Sequence, residues 1–202
     1  MTATMTARSG LMEQYFTVRG YVPGGMIVNS NRENLDIESM PAFLRVLLIT
    51  DGTVTKSLEA FYWERVLIDQ LGQETVAMPA DFRWMGGLAG EPVLDRTVRL
   101  RGESSGTVYA YAHSILRLKA LPEPLREDLV AGKIGIGEIL RERGLETYRE
   151  VLDIGRKFDE SRAAVFGVAK CGEIIYRTYR VSIRNEPTMF ITEEFPYRLY
   201  AR

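Results

Sequence analysis

Two charged side chains occupy positions where the alternation of an extended strand calls for apolar ones, and their types are complementary. Glu193 lies in Thr188-Met189-Phe190-Ile191-Thr192-Glu193-Glu194-Phe195, where Met189, Ile191, Glu193 and Phe195 share one face. Arg96 opens a second extended segment, in step with Val98 and Leu100. A charge on a core-facing stripe is costly unless a partner, a ligand or a shifted pKa compensates it. A buried guanidinium is a permanently charged, bidentate partner for a carboxylate. A buried carboxyl group can give or take a proton or a hydrogen bond. Arg177, in step with Ile175, Tyr179, Val181 and Ile183, is a further arginine on apolar parity and a candidate second carboxylate partner. A register shift, a bulge or an internal Arg–Glu pair produces the same parity. Taken alone, the residues therefore leave a ligand site and a structural ion pair both open.

The elements that must position these groups can be read in outline. Tyr176–Ile183 and Thr188–Phe195 are β-branched and aromatic around Arg184-Asn185-Glu186-Pro187, which predicts a hairpin with a somewhat long loop. Asp95–Leu116 predicts a second hairpin turning at Glu103-Ser104-Ser105-Gly106. Pro41–Thr50 reads as a helix with proline in its first turn, stopped by Asp51-Gly52. After it, Thr53 or Thr55 can cap a short helical turn, and Trp63–Gln70 reads as a strand. Met78–Pro92 reads as an irregular loop, Pro122–Ala131 as an amphipathic helix and Thr147–Phe158 as a strand. Gly132-Lys133-Ile134-Gly135-Ile136-Gly137 leads into a helix at Glu138–Arg141, which puts free backbone N–H groups where an anion can dock. Neither the phosphate-loop nor the dinucleotide fingerprint is present. Near the start, Tyr15–Val18 reads as a short strand ended by Pro23-Gly24-Gly25, and residues 1–10 as disordered. Hairpins separated by short helices predict an α+β fold, an antiparallel β-sheet with helices packed on one face, as a single domain over residues 1–202.

Bulk properties narrow the function. The 202 residues carry 26 basic and 27 acidic side chains for a net charge of −1, so nothing polyelectrolytic argues for nucleic acid. A small anion would need a local basic pocket instead. No apolar run reaches membrane-span length and no secretory leader stands at the start, so a cytoplasmic protein without a membrane partner is expected. Cys171 is the one cysteine and His113 the one histidine. No local signature pairs them as nucleophile and base, and Cys171 reads as a reduced thiol.

In chain order, Asp51-Gly52-Thr53-Val54-Thr55-Lys56-Ser57-Leu58, then Arg96, then Gly135-Ile136-Gly137, then Thr192-Glu193 resemble the chorismate pyruvate-lyase family. The resemblance runs from about Leu47 to about Phe195 and favours the branch long known as a family of unknown function. It implies a chorismate lyase-like sheet with its ligand enclosed beneath helices. It also implies elimination of pyruvate from chorismate to give 4-hydroxybenzoate, a quinone precursor, without metal or organic cofactor. By position, the resemblance assigns the ring carboxylate to Arg96 and the oxygenated end of the ring to Glu193. It gives a carboxylate-binding backbone N–H to Ile136, beside Gly135 where the family has proline, and puts Val54 where the family has methionine. Two other functions fit the same likeness. One is a small-molecule sensor like the ligand domain of GntR-type repressors, although the roughly forty residues ahead of it are too few for a helix-turn-helix domain. The other is a chorismate-using enzyme with a different hydroxybenzoate product. The oligomeric state is not set by the sequence.

Overall fold

The computed structural model describes residues 25–132, 135–167 and 172–201. The strand expected at Tyr15–Val18, the disordered start and Cys171 lie outside these residues. A small hairpin, Met26–Val28 (β1) with Asn34–Asp36 (β2), comes first. The main sheet is built from Val66–Ala77 (β3), Pro92–Gly102 (β4), Val108–Arg117 (β5), Thr147–Phe158 (β6), Glu173–Ile183 (β7) and Glu186–Pro196 (β8). It is antiparallel throughout, in the order β3-β4-β5-β8-β7-β6. The two hairpins β4–β5 and β7–β8 thus meet along a central β5–β8 seam.

Helices Ala42–Ile49 (α1), Val54–Tyr62 (α2), Glu123–Ala131 (α3) and Ile136–Glu142 (α4) cover one face of the sheet. Each turns a short apolar stripe inward: Leu44, Leu47 and Leu48 from α1, Val54 and Leu58 from α2, Leu125 and Leu129 from α3, Ile139 and Leu140 from α4. Burying a leucine fully is worth about 1.5–3 kcal/mol over leaving it in water, so these stripes fix the helices to the sheet. Two apolar clusters result. One joins α1, α2 and the β1–β2 hairpin to Val98, Leu100, Ala112 and Phe195. The other joins α3 and α4 to Leu94, Leu116, Val181, Met189 and Ile191. The opposite face of the sheet is covered by the Met78–Glu91 connection, through Met85 and Phe82, and by Phe166, which follows the short helix Glu160–Val165 (α5). Tyr197–Tyr200 (α6) closes the described chain.

Three expectations need correcting. The β7–β8 connection is not a long loop: Arg184 and Asn185 both have positive φ, 52° and 64°, and Ile183 pairs directly with Glu186. That is a two-residue hairpin turn whose backbone twist matches the flanking strands. Pro187 is tolerated inside β8 because the register shifts beside it, at Val181/Ser182. The short turn after Thr53 is a nine-residue helix, α2, and Trp63 is its left-handed C-cap rather than the first residue of a strand. The strand instead runs from Val66 on to Ala77, because an edge strand exposed on its outer half can be polar and still complete its ladder with β4. Among the described residues no helix is long and apolar enough to cross a membrane.

Candidate functional site

Where the two apolar clusters come apart, a cavity of about 500 Å³ opens between the sheet and the N-terminal ends of α2 and α4. Arg96 and Glu193 both line it, and both side chains are almost wholly buried, with the residues 3% and 8% exposed. Their relation follows from the strand register. Arg96 on β4 faces Ser114 on β5, while Glu193 on β8 faces Ala112 on the same strand. They therefore stand two strands apart and two residues out of step. Strand spacing alone puts their Cα atoms roughly 12 Å from each other. Between them β5 carries only Ala112 and Ser114, so the hollow exists because the central strand has short side chains there. Val98, Val54, Ile68 and Ile191 supply apolar walls.

Glu193 is held on its inner side. Arg177 Nε donates to Glu193 Oε2 at 2.7 Å, and the Tyr179 hydroxyl donates to Oε1 at 3.1 Å. Arg177 is 1% exposed, stacks its guanidinium 4.8 Å from the Tyr179 ring centroid, and gives Nη1 to the carbonyl oxygen of Thr50 at 2.7 Å. Burial works to lower the Arg177 pKa, but the charge of Glu193, the neighbouring Tyr179 and the hydrogen bonds to both together outweigh it and hold it above the ordinary arginine value. Burial, and then the neighbouring Glu193 charge, push the Tyr179 phenol well up. Both groups therefore stay protonated as donors. Burial lowers the Arg96 pKa, yet a guanidinium starts so high that it keeps its charge.

The helix ends meet over the cavity. Thr53 is the N-cap of α2 and Gly135 the N-cap of α4, and neither α2 nor α4 has a side-chain cap hydrogen bond. A Cβ on Gly137 would come within 2.9 Å of Thr53 Cγ2, so the glycine is what lets the two ends touch. Gly135 has φ −72°, a value proline also adopts, but a Cβ there would meet Ile68 Cδ1 at 2.3 Å. In this chain Ile68 fills the space that a ring at position 135 would need.

Of the residues singled out by sequence, Arg96, Glu193, Val54, Gly135 and Ile136 all line this one cavity. Arg177 does not. It sits behind Glu193 with its guanidinium committed to that carboxylate and to Thr50. His113 pairs with Asp95 on the far face of the sheet, 2.9 Å away. Four contributors were missed. Tyr179 and the small pair Ala112 and Ser114 had a visible signal, since they share parity with Arg177 and with the core-facing positions of β5. Arg149 on β6 also lines the cavity. Its parity with Val151 was readable, but the strand's charged outer residues obscured which side faced the core.

This is an antiparallel α+β architecture with a buried, charged cavity under its helices, the chorismate lyase-like fold. The crystal structure of PhnF from Mycobacterium smegmatis shares that fold at a TM-score of 0.59 and 16% identity, covering 73% of this chain and 65% of PhnF, just under two thirds of its length. The model of the Rv2949c-like chorismate pyruvate-lyases matches residues 48–201, and the chain belongs to that family. A chorismate pyruvate-lyase of Mycobacterium leprae is 25% identical over 170 residues, 84% of this chain and 81% of that protein. A protein of the same name from Mycobacterium tuberculosis is 24% identical over 164 residues, 79% of this chain and 82% of its own length.

Proposed function

We propose that this protein is a chorismate pyruvate-lyase, releasing 4-hydroxybenzoate and pyruvate from chorismate. The observation that carries the reading is the convergence of Arg96 and Glu193, from separate hairpins, on one cavity between sheet and helices in a member of this family. Arg96 takes the ring carboxylate in a charge-assisted, bidentate pair. The backbone N–H of Ile136 assists it, as the family likeness implies. Glu193, oriented by Arg177 and Tyr179, faces the oxygenated edge of the ring.

The reaction balances without an outside reactant. The C3–O ether bond and the C4–H bond break, a C3–C4 double bond completes the aromatic ring, and the hydrogen goes to the enolpyruvyl methylene to form the methyl group of pyruvate. Both oxygens of Glu193 already accept hydrogen bonds from fixed donors, and its remaining lone pairs are suited to accept another from the C4 hydroxyl. This favours a concerted hydrogen transfer within a substrate that the protein folds and stabilises electrostatically over proton donation from Glu193. Arg177 acts here as a positioning residue.

The test is incubation of the purified protein with chorismate, with products separated by chromatography. We expect 4-hydroxybenzoate and pyruvate in equal amounts, and a fall of at least roughly a hundredfold in kcat/KM for Arg96→Ala and for Glu193→Gln. Undiminished activity in both variants overturns the site. Tight binding of chorismate without any product makes the protein a sensor, and a different hydroxybenzoate makes it a different chorismate-using enzyme.

A further inference from the structure

Chorismate carries two carboxylates, and the residues above account for one. The arginine that sequence parity offered for the second, Arg177, is turned away from the cavity. Resting on the lyase reading, we infer that Arg149 binds the second carboxylate, the one on the enolpyruvyl arm. From Glu193 on β8, Arg96 lies two strands away on one side and Arg149 two strands away on the other, so the two guanidiniums flank the carboxyl group. The register rows of Arg96 and Arg149 cross β8 at Ile191 and Met189, both on the same side of Glu193. The three groups form a triangle over the sheet. A dianion with its ring acid at one guanidinium and its side-arm acid at the other then presents the bond between ring and arm to Glu193.

The state of Arg149 supports this. It is half-buried, and among the described residues its only hydrogen bond runs from Nη1 to the carbonyl oxygen of Asp51. Its Nε is buried and donates to none of them, and no carboxylate among them lies within ion-pair distance. A partly desolvated cation with only a carbonyl partner gains when an anion arrives. The other cations at the cavity are less suited. Lys56 pairs with Glu59 and Arg65 with Glu103, and their side chains are 61% and 72% exposed. Arg141 is exposed on α4. The Asp51 contact also ties the arginine to the α1–α2 connection, whose next residues, Gly52 to Thr55, are cavity wall.

The experiment compares wild type with Arg149→Gln in chorismate turnover, and in calorimetric binding of two probes: 3-(carboxymethoxy)benzoate, with a ring and a side-arm carboxylate, and 3-methoxybenzoate, with the ring carboxylate alone. We expect the substitution to raise KM for chorismate and Kd for the two-acid probe by roughly ten- to a hundredfold, and to leave the one-acid probe unchanged. Arg96→Gln should weaken both probes. A general distortion of the cavity would also weaken both, so equal losses, or no loss, in Arg149→Gln overturn the inference. If the wild type does not consume chorismate, the lyase reading fails, and the probe pair still judges Arg149. Wild type that binds neither probe overturns it as well.

Discussion

Replacing Arg177 by methionine keeps most of its bulk and removes its charge, and the structure sets the size of the effect. The guanidinium is buried against Glu193 at 2.7 Å, with the glutamate itself 8% exposed. Removing one member of a buried pair leaves the other charged and unsolvated, at a cost of about 3–5 kcal/mol. Loss of the donor to the Thr50 carbonyl adds to this. In the double variant Arg177→Met/Glu193→Gln the stranded charge is gone while the Thr50 loss is the same, so that contribution cancels between the two. About 1–3 kcal/mol should therefore return. Urea titration at neutral pH reads both quantities. At a slope of about 1–3 kcal/mol per molar, the single substitution should lower the midpoint by roughly 1 M or more. If Arg177→Met unfolds within about 1 kcal/mol of wild type, or if adding Glu193→Gln makes it worse, Arg177 and Glu193 do not act as a pair and the positioning role fails.

Other outcomes follow from the same geometry. Gly135→Ala should cost about 0.5–1.5 kcal/mol, since its Cβ meets only the end of the Ile68 side chain, which can turn aside at the cavity, and Ile68→Val, which removes that methyl, should restore most of it in thermal melts. The hydrogen bond from Tyr109, followed by those from Ser105, holds the Glu64 pKa down at about 2 against an ordinary 4.5. A carboxylate depressed on folding stabilises above about pH 4.5, and that contribution is lost as pH falls toward 2. Glu64→Gln should therefore flatten the acid limb of the stability curve, and an unchanged limb would refute the assignment.

The sheet was readable because its two inner hairpins alternate cleanly. Arg96, Val98 and Leu100 on β4, and Met189, Ile191, Glu193 and Phe195 on β8, fall on the predicted face, and the charged exceptions marked the cavity. One edge strand, β6, was read at its full extent, but β3 was harder, since beyond Gln70 its residues Leu71 to Ala77 are mostly solvated and carry no clear alternation. The β1–β2 hairpin escaped because three-residue strands carry no period, and the cluster that buries Ile27 and Leu35 draws in sheet residues far along the chain, from Val98 to Phe195. Which arginine faces the ligand was beyond parity altogether. Arg177 and Arg149 lie on the same side of the sheet, and only the packing of Thr50 and Glu193 around the first decides that it turns inward.

The β5–β8 seam has a consequence for how the protein comes to life. Tyr111–Leu116 zips against Met189–Glu194, nearly eighty residues downstream, and each hairpin on either side can form from neighbours alone. Closing so long a loop is slow compared with making a tight turn. A nascent or refolding chain therefore owns both halves of its chemistry well before it owns a site, and ligand can reward only the last, long-range step of assembly.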